Sequence, residues 1–346
     1  MPPDASRLGA PRPPDDDLEA TFILKPAPVA LPSVVPPPDS PSRIAPSPPR
    51  RSPALLIAAA AGIAVLICAT AWLLLRPAET PPAVAVQIPE LPLATEAEIA
   101  GHRADRLTVF RLRDNPRIVV LDYPNLTEQG LALNRLAAFI EKAEVPKDRV
   151  LDDASLAREI SKTGDTVDSY YYGHDYAVPD IIRFFALADR DRIALSPQEL
   201  ALRALIARHS LDAPGPAHAI ITVSQAGGEV VDDFTRRIIL RHELSHGEYF
   251  TNPAYAAYVL GTWNNVLTAE ERAAFIKFLG DQNYDTANTN LMANEMQAFL
   301  VFTPDSRYIG AEKLGLTPAA YAGLRERFIA GMPDGWLRRL ADAPLP

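Results

Sequence analysis

One cysteine in 346 residues excludes an intramolecular disulfide and a thiolate metal cluster. That residue, Cys68, lies inside the chain's one long apolar run, where it reads as a small hydrophobe. Basic charge is also short: 34 Lys and Arg stand against 43 Asp and Glu, a formal net charge of −9. The deficit is uneven. Residues 1–52 hold six basic and six acidic side chains, while residues 77–346 carry −10. An acidic domain repels phosphate backbones, so nucleic acid is excluded as its partner. Histidine is scarce too, with six in the chain and none after His246, which limits the metal ligands available downstream.

Proline is abundant but concentrated, with fifteen of the 34 in residues 1–52. Runs such as PVALPSVVPPPDSPSRIAPSPPR remove backbone donors and offer too few apolar side chains to offset the entropy of ordering. This segment is expected to be a disordered tail, and its prolines could dock on a cytoplasmic partner. Residues 53–75, PALLIAAAAGIAVLICATAWLLL, carry no charge and are long enough to cross a bilayer as one helix. Arg43, Arg50 and Arg51 precede this run and Arg76 follows it, so the bias of basic residues keeps the tail inside and exports what comes after. Arginine far outnumbers lysine, a composition suited to a GC-rich bacterium. The expected setting is a bacterial inner membrane crossed once, with the C-terminal domain in the periplasm. Residues 76–104, with spaced prolines, read as a stalk, and residues 105–346 as the folded domain.

Within that domain LTVFRLRDNPRIVVLDYPN predicts two strands around an Asn115-Pro116 turn. TEQGLALNRLAAFIEKAE, ASLAREISK, VPDIIRFFALAD and SPQELALRALIARH predict helices, the last with Ser196 as its N-cap and Pro197 in its first turn. HAIITVS, residues 218–224, predicts a strand, and Asp232 or Asp233 caps a helix ending near Thr251. The fold class expected is α+β, mostly helical with a small sheet.

The capped helix carries RHELSHGEYF, residues 241–250. His242 and His246 stand one turn apart on one face and can reach a single ion. Ile238, Ile239 and Tyr249 share that face, whereas Arg237, Arg241 and Glu248 form a polar stripe, so the histidines point inward. Two buried imidazoles need partners, and a zinc ion supplies one. Glu243 sits about 100° round the helix, placed to serve as a general base on water rather than as a ligand. A catalytic zinc site takes three protein ligands. With no histidine downstream, the third is expected to be Glu295, the carboxylate in the otherwise apolar stripe of Leu291, Ala298, Phe299 and Phe302. Two satisfied histidines on a packed helix are the bland alternative.

His242-Glu243-Leu244-Ser245-His246 followed by Asn294-Glu295-Met296-Gln297-Ala298 resembles the gluzincin type of zincin metallopeptidase. The likeness covers two short motifs within residues 218–303. It implies a zincin-like domain in which Zn²⁺ is bound by His242, His246 and Glu295, with Glu243 activating water for peptide hydrolysis. The substrate would be a peptide or protein of the cell envelope. The resemblance also puts HAIITVS where such enzymes have the edge strand that pairs with substrate, although a plain core strand fits the residues equally well. Departures are clear. The metzincin extension would need glycine at 249 and histidine at 252, where Tyr249 and Asn252 stand. Phe299 occupies the place of an aspartate that supports a histidine ligand in some gluzincins. The donor for the oxyanion is open among His174, in SYYYGHDY, and Tyr249, Tyr255, Tyr258, Tyr284 and Tyr308. A non-catalytic, membrane-tethered interaction module with a structural or vestigial metal site is the competing class.

Overall fold

The computed structural model describes residues 91–346 except 163 and 228–230. The expected tail, the expected membrane span at 53–75 and most of the expected stalk lie outside the described residues. No helix among the described residues is long and apolar enough to cross a membrane.

The domain is α+β. Its five strands are β1 (Leu93–Ala94), β2 (Thr108–Leu112), β3 (Ile118–Tyr123), β4 (Gly173–Ala177) and β5 (Ala219–Ser224), in spatial order β1-β2-β3-β5-β4. β2 and β3 are antiparallel about Asn115-Pro116, β3 and β5 are parallel, and β4 runs antiparallel to β5. The helices are α1 (Glu96–Gly101), α2 (Leu126–Glu141), α3 (Asp153–Ser161), α4 (Val178–Asp191), α5 (Pro197–Arg208), α6 (Asp233–Thr251), α7 (Pro253–Gly261), α8 (Ala269–Gly280), α9 (Thr289–Phe302), α10 (Pro318–Gly331) and α11 (Trp336–Ala341). A π-helical turn, Thr262–Val266, extends α7.

Local chemistry starts these helices where expected. Asp232 accepts the Thr235 N–H at 2.7 Å and caps α6. Ser196 and Glu199 cap each other's backbone at α5, with Pro197 in its first turn. Asn252 both closes α6 and caps α7, where Pro253 lacks the N–H that would go unpaired.

α6 lies across β3, β4 and β5. Its approach to the sheet is close at Gly247, where a Cβ would come within 2.9 Å of Ile118 Cγ2. α2 also packs on β3 and β5, and α9 packs against α6. α6 is therefore enclosed, and the expected polar stripe is not a solvent face. Arg241 is buried and pairs with Glu96 at 2.7 Å, and Glu248 is buried against Asn115 and Trp336. Both charged groups gain partners from distant segments, which helical periodicity alone does not reveal.

One expectation is corrected and one open alternative is decided. Residues 93–101 are not stalk: a Thr95–Glu98 capping box starts α1, Ile99 is fully buried, and β1 pairs with β2. HAIITVS is a core strand, because β5 lies between β3 and β4. The edge strand on that side is GHDYA of β4, a stretch for which the sequence predicts no strand.

Candidate metal centre

The centre forms where α6 and α9 meet beside the edge of β4. His242 Nε2 and His246 Nε2 lie 3.0 Å apart, and Glu295 Oε2 is 3.8 Å from each. All three residues are at least 95 % buried. Thr303, just past α9, donates its hydroxyl to Ala298 O at 3.0 Å, leaving its oxygen to accept from His242 Nδ1 at 2.8 Å. That bond puts the proton of His242 on Nδ1 and leaves a lone pair on Nε2. Nδ1 of His246 is buried without a hydrogen bond and lies 3.7 Å from Asp175 Oδ1.

The Nε2 atoms of the two histidines and Glu295 Oε2, a carboxylate oxygen without a hydrogen bond, thus face one another. Adjacent ligand atoms on a tetrahedral zinc ion are about 3.3 Å apart, and the observed separations bracket that value. The cavity that His242, Glu243 and Glu295 line, about 20 Å³, has room for an ion or one water. His242, His246 and Glu295 could hold a metal ion.

Electrostatics point the same way. Burial pushes the imidazoles down, His246 to about 4 and His242 well below the usual range, so both are neutral. Burial pushes Glu295, Glu243 and Asp175 well above the usual carboxylate range, and the negative charges of their neighbours, Glu141 among them, push further in the same direction. Four carboxylates, Glu141, Asp175, Glu243 and Glu295, line this cavity without a lysine or arginine in its wall. A divalent cation relieves that repulsion.

Glu243 lies beside the three ligand atoms rather than among them. One oxygen is pressed against the backbone of Gly173, where a Cβ would approach Oε1 to 2.1 Å, and Oε2 is buried without a partner. Only glycine allows the carboxylate there. Asp175 is close enough to Glu243 to share a proton, and with His246 these two form a second group whose ligand atoms fall within 4.8 Å.

The remaining residues predicted from sequence divide. His174 is on the other face of β4 from Asp175, with Nδ1 3.1 Å from Thr222 Oγ1 and its ring stacked on Tyr171. Burial lowers it to about 3, and its side chain does not line the cavity. Tyr249 lies in an adjoining cavity and donates to Asn290. Tyr284 lines the cavity itself, and burial, followed by the charges of Glu295, Glu141, Asp175 and Glu243, raises its hydroxyl. His102 contacts Asp122 at 2.7 Å and His218 contacts Leu211 O at 3.0 Å, both away from the centre. Sequence reasoning did not find Thr303, Asp175 or Glu141. Only Asp175 had a signal, its place in the unusual SYYYGHDY cluster.

No family model, no curated protein and no solved structure matches the chain. The functional reading therefore rests on the chemistry of these side chains.

Proposed function

We propose that the chain is a zinc-dependent peptidase of gluzincin-like type, anchored in a bacterial membrane by residues 53–75 with the domain on the outer side. The observation that carries this is the convergence of three inward ligand atoms, on His242, His246 and Glu295, beside a fourth buried group, Glu243, whose Oε2 has no partner. Bound there, zinc would supply Lewis acidity, polarising a carbonyl and acidifying water.

The chain's own residues do the rest. Glu243, its pKa raised by burial, accepts the proton of the attacking water and passes it to the leaving amine as the peptide C–N bond breaks and the new C–O bond forms. Gly173 holds Glu243 in position. Tyr284, rather than His174, has its side chain in the cavity where a donor to the developing oxyanion is required. The edge of β4 offers substrate a pairing partner. Val178 N bonds to His218 O, so His174 and Tyr176 are the hydrogen-bonded partners of β5, and the main-chain groups of Gly173, Asp175 and Ala177 point off the edge.

The test uses the zinc-loaded full chain and a mixed peptide library read by mass spectrometry. Glu243→Gln is expected to slow hydrolysis by about 10²–10⁴-fold with zinc content unchanged, and undiminished cleavage would remove the base. His246→Ala is expected to lose zinc and activity together, and full zinc occupancy would remove the ligand assignment.

A further inference from the structure

A second cavity of about 100 Å³ adjoins the centre along the outer edge of β4. Glu141, Asp175 and Glu295 line both cavities, and Asp180 of α4 stands in the wall of the second at the surface. No lysine or arginine lines either one. A dication bound at the centre would offset part of the negative charge that these carboxyl groups can carry. Lys142 is the nearby buried cation, with Nζ 3.3 Å from Gln282 O and among the rings of Tyr170, Tyr171 and Tyr284. Lys147, whose Nζ bonds Lys142 O at 2.7 Å, is a second cation near Glu141, and Arg183 stands near Asp180; none of these three cations is in the cavity wall.

Glu141 is the group that the hydrolytic reading leaves unused. It is 4 % exposed and makes no ion pair among the described residues, and its Oε1 accepts the Tyr176 hydroxyl at 2.8 Å. Its carboxylate lines a cavity whose wall holds no lysine or arginine among the described residues, so a cationic nitrogen entering there would meet acceptors only. Ile140, Phe250 and Leu291 supply apolar wall beside it, suited to the methylene stem of a long basic side chain.

We propose that this second cavity is a substrate subsite for a cationic nitrogen, a lysine or arginine side chain or a free amino terminus, next to the bond that is cut. The inference rests on the peptidase reading, and its test is kept separate from it. The zinc-loaded full chain carrying Glu243→Gln is titrated by calorimetry with peptides of one backbone: N-acetylated with a central arginine, N-acetylated with norleucine, free-amine with norleucine, and N-acetylated with glutamate. One cationic peptide is expected to bind about tenfold more tightly than acetyl-norleucine, and the glutamate peptide more weakly than all. Which cationic peptide gains tells side chain from terminus. Glu141→Gln and Asp180→Asn, each added to this background, are expected to shrink the gap. Equal affinity across the set, or a gap that neither substitution changes, would overturn the subsite. Wild-type cleavage reports on the other claim: metal-dependent cutting indifferent to charge sinks the subsite alone, and no cutting sinks the peptidase reading while the binding contrast still decides the subsite.

Discussion

α6 carries two buried polar clusters six residues apart, and they differ in charge balance. At Arg236 both η nitrogens are matched: they bond Asp122 Oδ1 and Oδ2 at 3.0 Å, Ser224 O at 2.6 Å and Ile99 O at 2.9 Å, and Gln225 Nε2 adds bonds of 2.9 and 2.8 Å to Asp122. Only Nε goes unpartnered. At His242 and His246 the neighbours are carboxylates in excess, with the two Nε2 atoms facing each other. The first cluster is neutral within itself and binds strands to helix. The second is neutral only with something added, and that difference separates a structural ion pair from a cation site.

The largest effect tests the balanced cluster. Arg236→Met strands Asp122 in the core and is expected to cost about 3–5 kcal/mol in urea unfolding. Replacing Asp122 by leucine in the same chain should recover much of that loss. A cost under about 1 kcal/mol for the single variant would show that the pair is not what anchors α6.

The unbalanced cluster is expected to answer with a change of sign. In metal-free protein Glu295→Gln removes a surplus carboxylate and should stabilise by roughly 1–2 kcal/mol. With zinc present the same substitution should destabilise relative to wild type, because the ligand is lost. Denaturation with and without zinc reads both arms, and the same sign in each would erase the contrast between the clusters.

A smaller effect sharpens the account of tautomer control. Thr303→Val deletes the acceptor for His242 Nδ1 and is expected to lower zinc affinity about 10–100-fold, measured by competition with a chelator. Unchanged affinity would remove Thr303 from the centre.

His174 offers a pH test away from the metal ligands. Burial holds it at about 3 in the fold against about 6.5 unfolded. The fold thus bears no cost from it well above pH 6.5, and stability falls as pH drops toward 3, by roughly 1–2 kcal/mol between pH 6.5 and 5. His174→Gln should flatten that part of the stability profile, and an unaltered acid limb would contradict the burial argument.

Much of this was legible in sequence where the signal is local. Asp232, Ser196 and Asn252 announce helix starts, and the i, i+4 spacing of His242 and His246 announces a shared face. Glu295 was found because a carboxylate in an apolar stripe demands a cation. What sequence concealed depends on topology. GHDYA lacks the β-branched residues that mark strands, and it becomes one by pairing with β5, while Gly173 is needed there because Glu243 fills the space of a side chain. Thr303 and Glu141 have ordinary local surroundings and acquire a role only when α2 and α9 are brought to the end of β4. Arg241 and Glu248 looked like solvent groups since their partners, Glu96 and Trp336, are about 145 and 88 residues away.

The central claim is that α6 and α9 jointly hold one divalent cation, and elemental analysis of the purified full chain after zinc loading and dialysis tests it most directly. The account predicts one zinc per chain in the wild type and in Glu243→Gln, and none in His242→Ala, His246→Ala or Glu295→Ala. A wild-type chain that retains no metal, or three alanine variants that all retain it, would contradict the account.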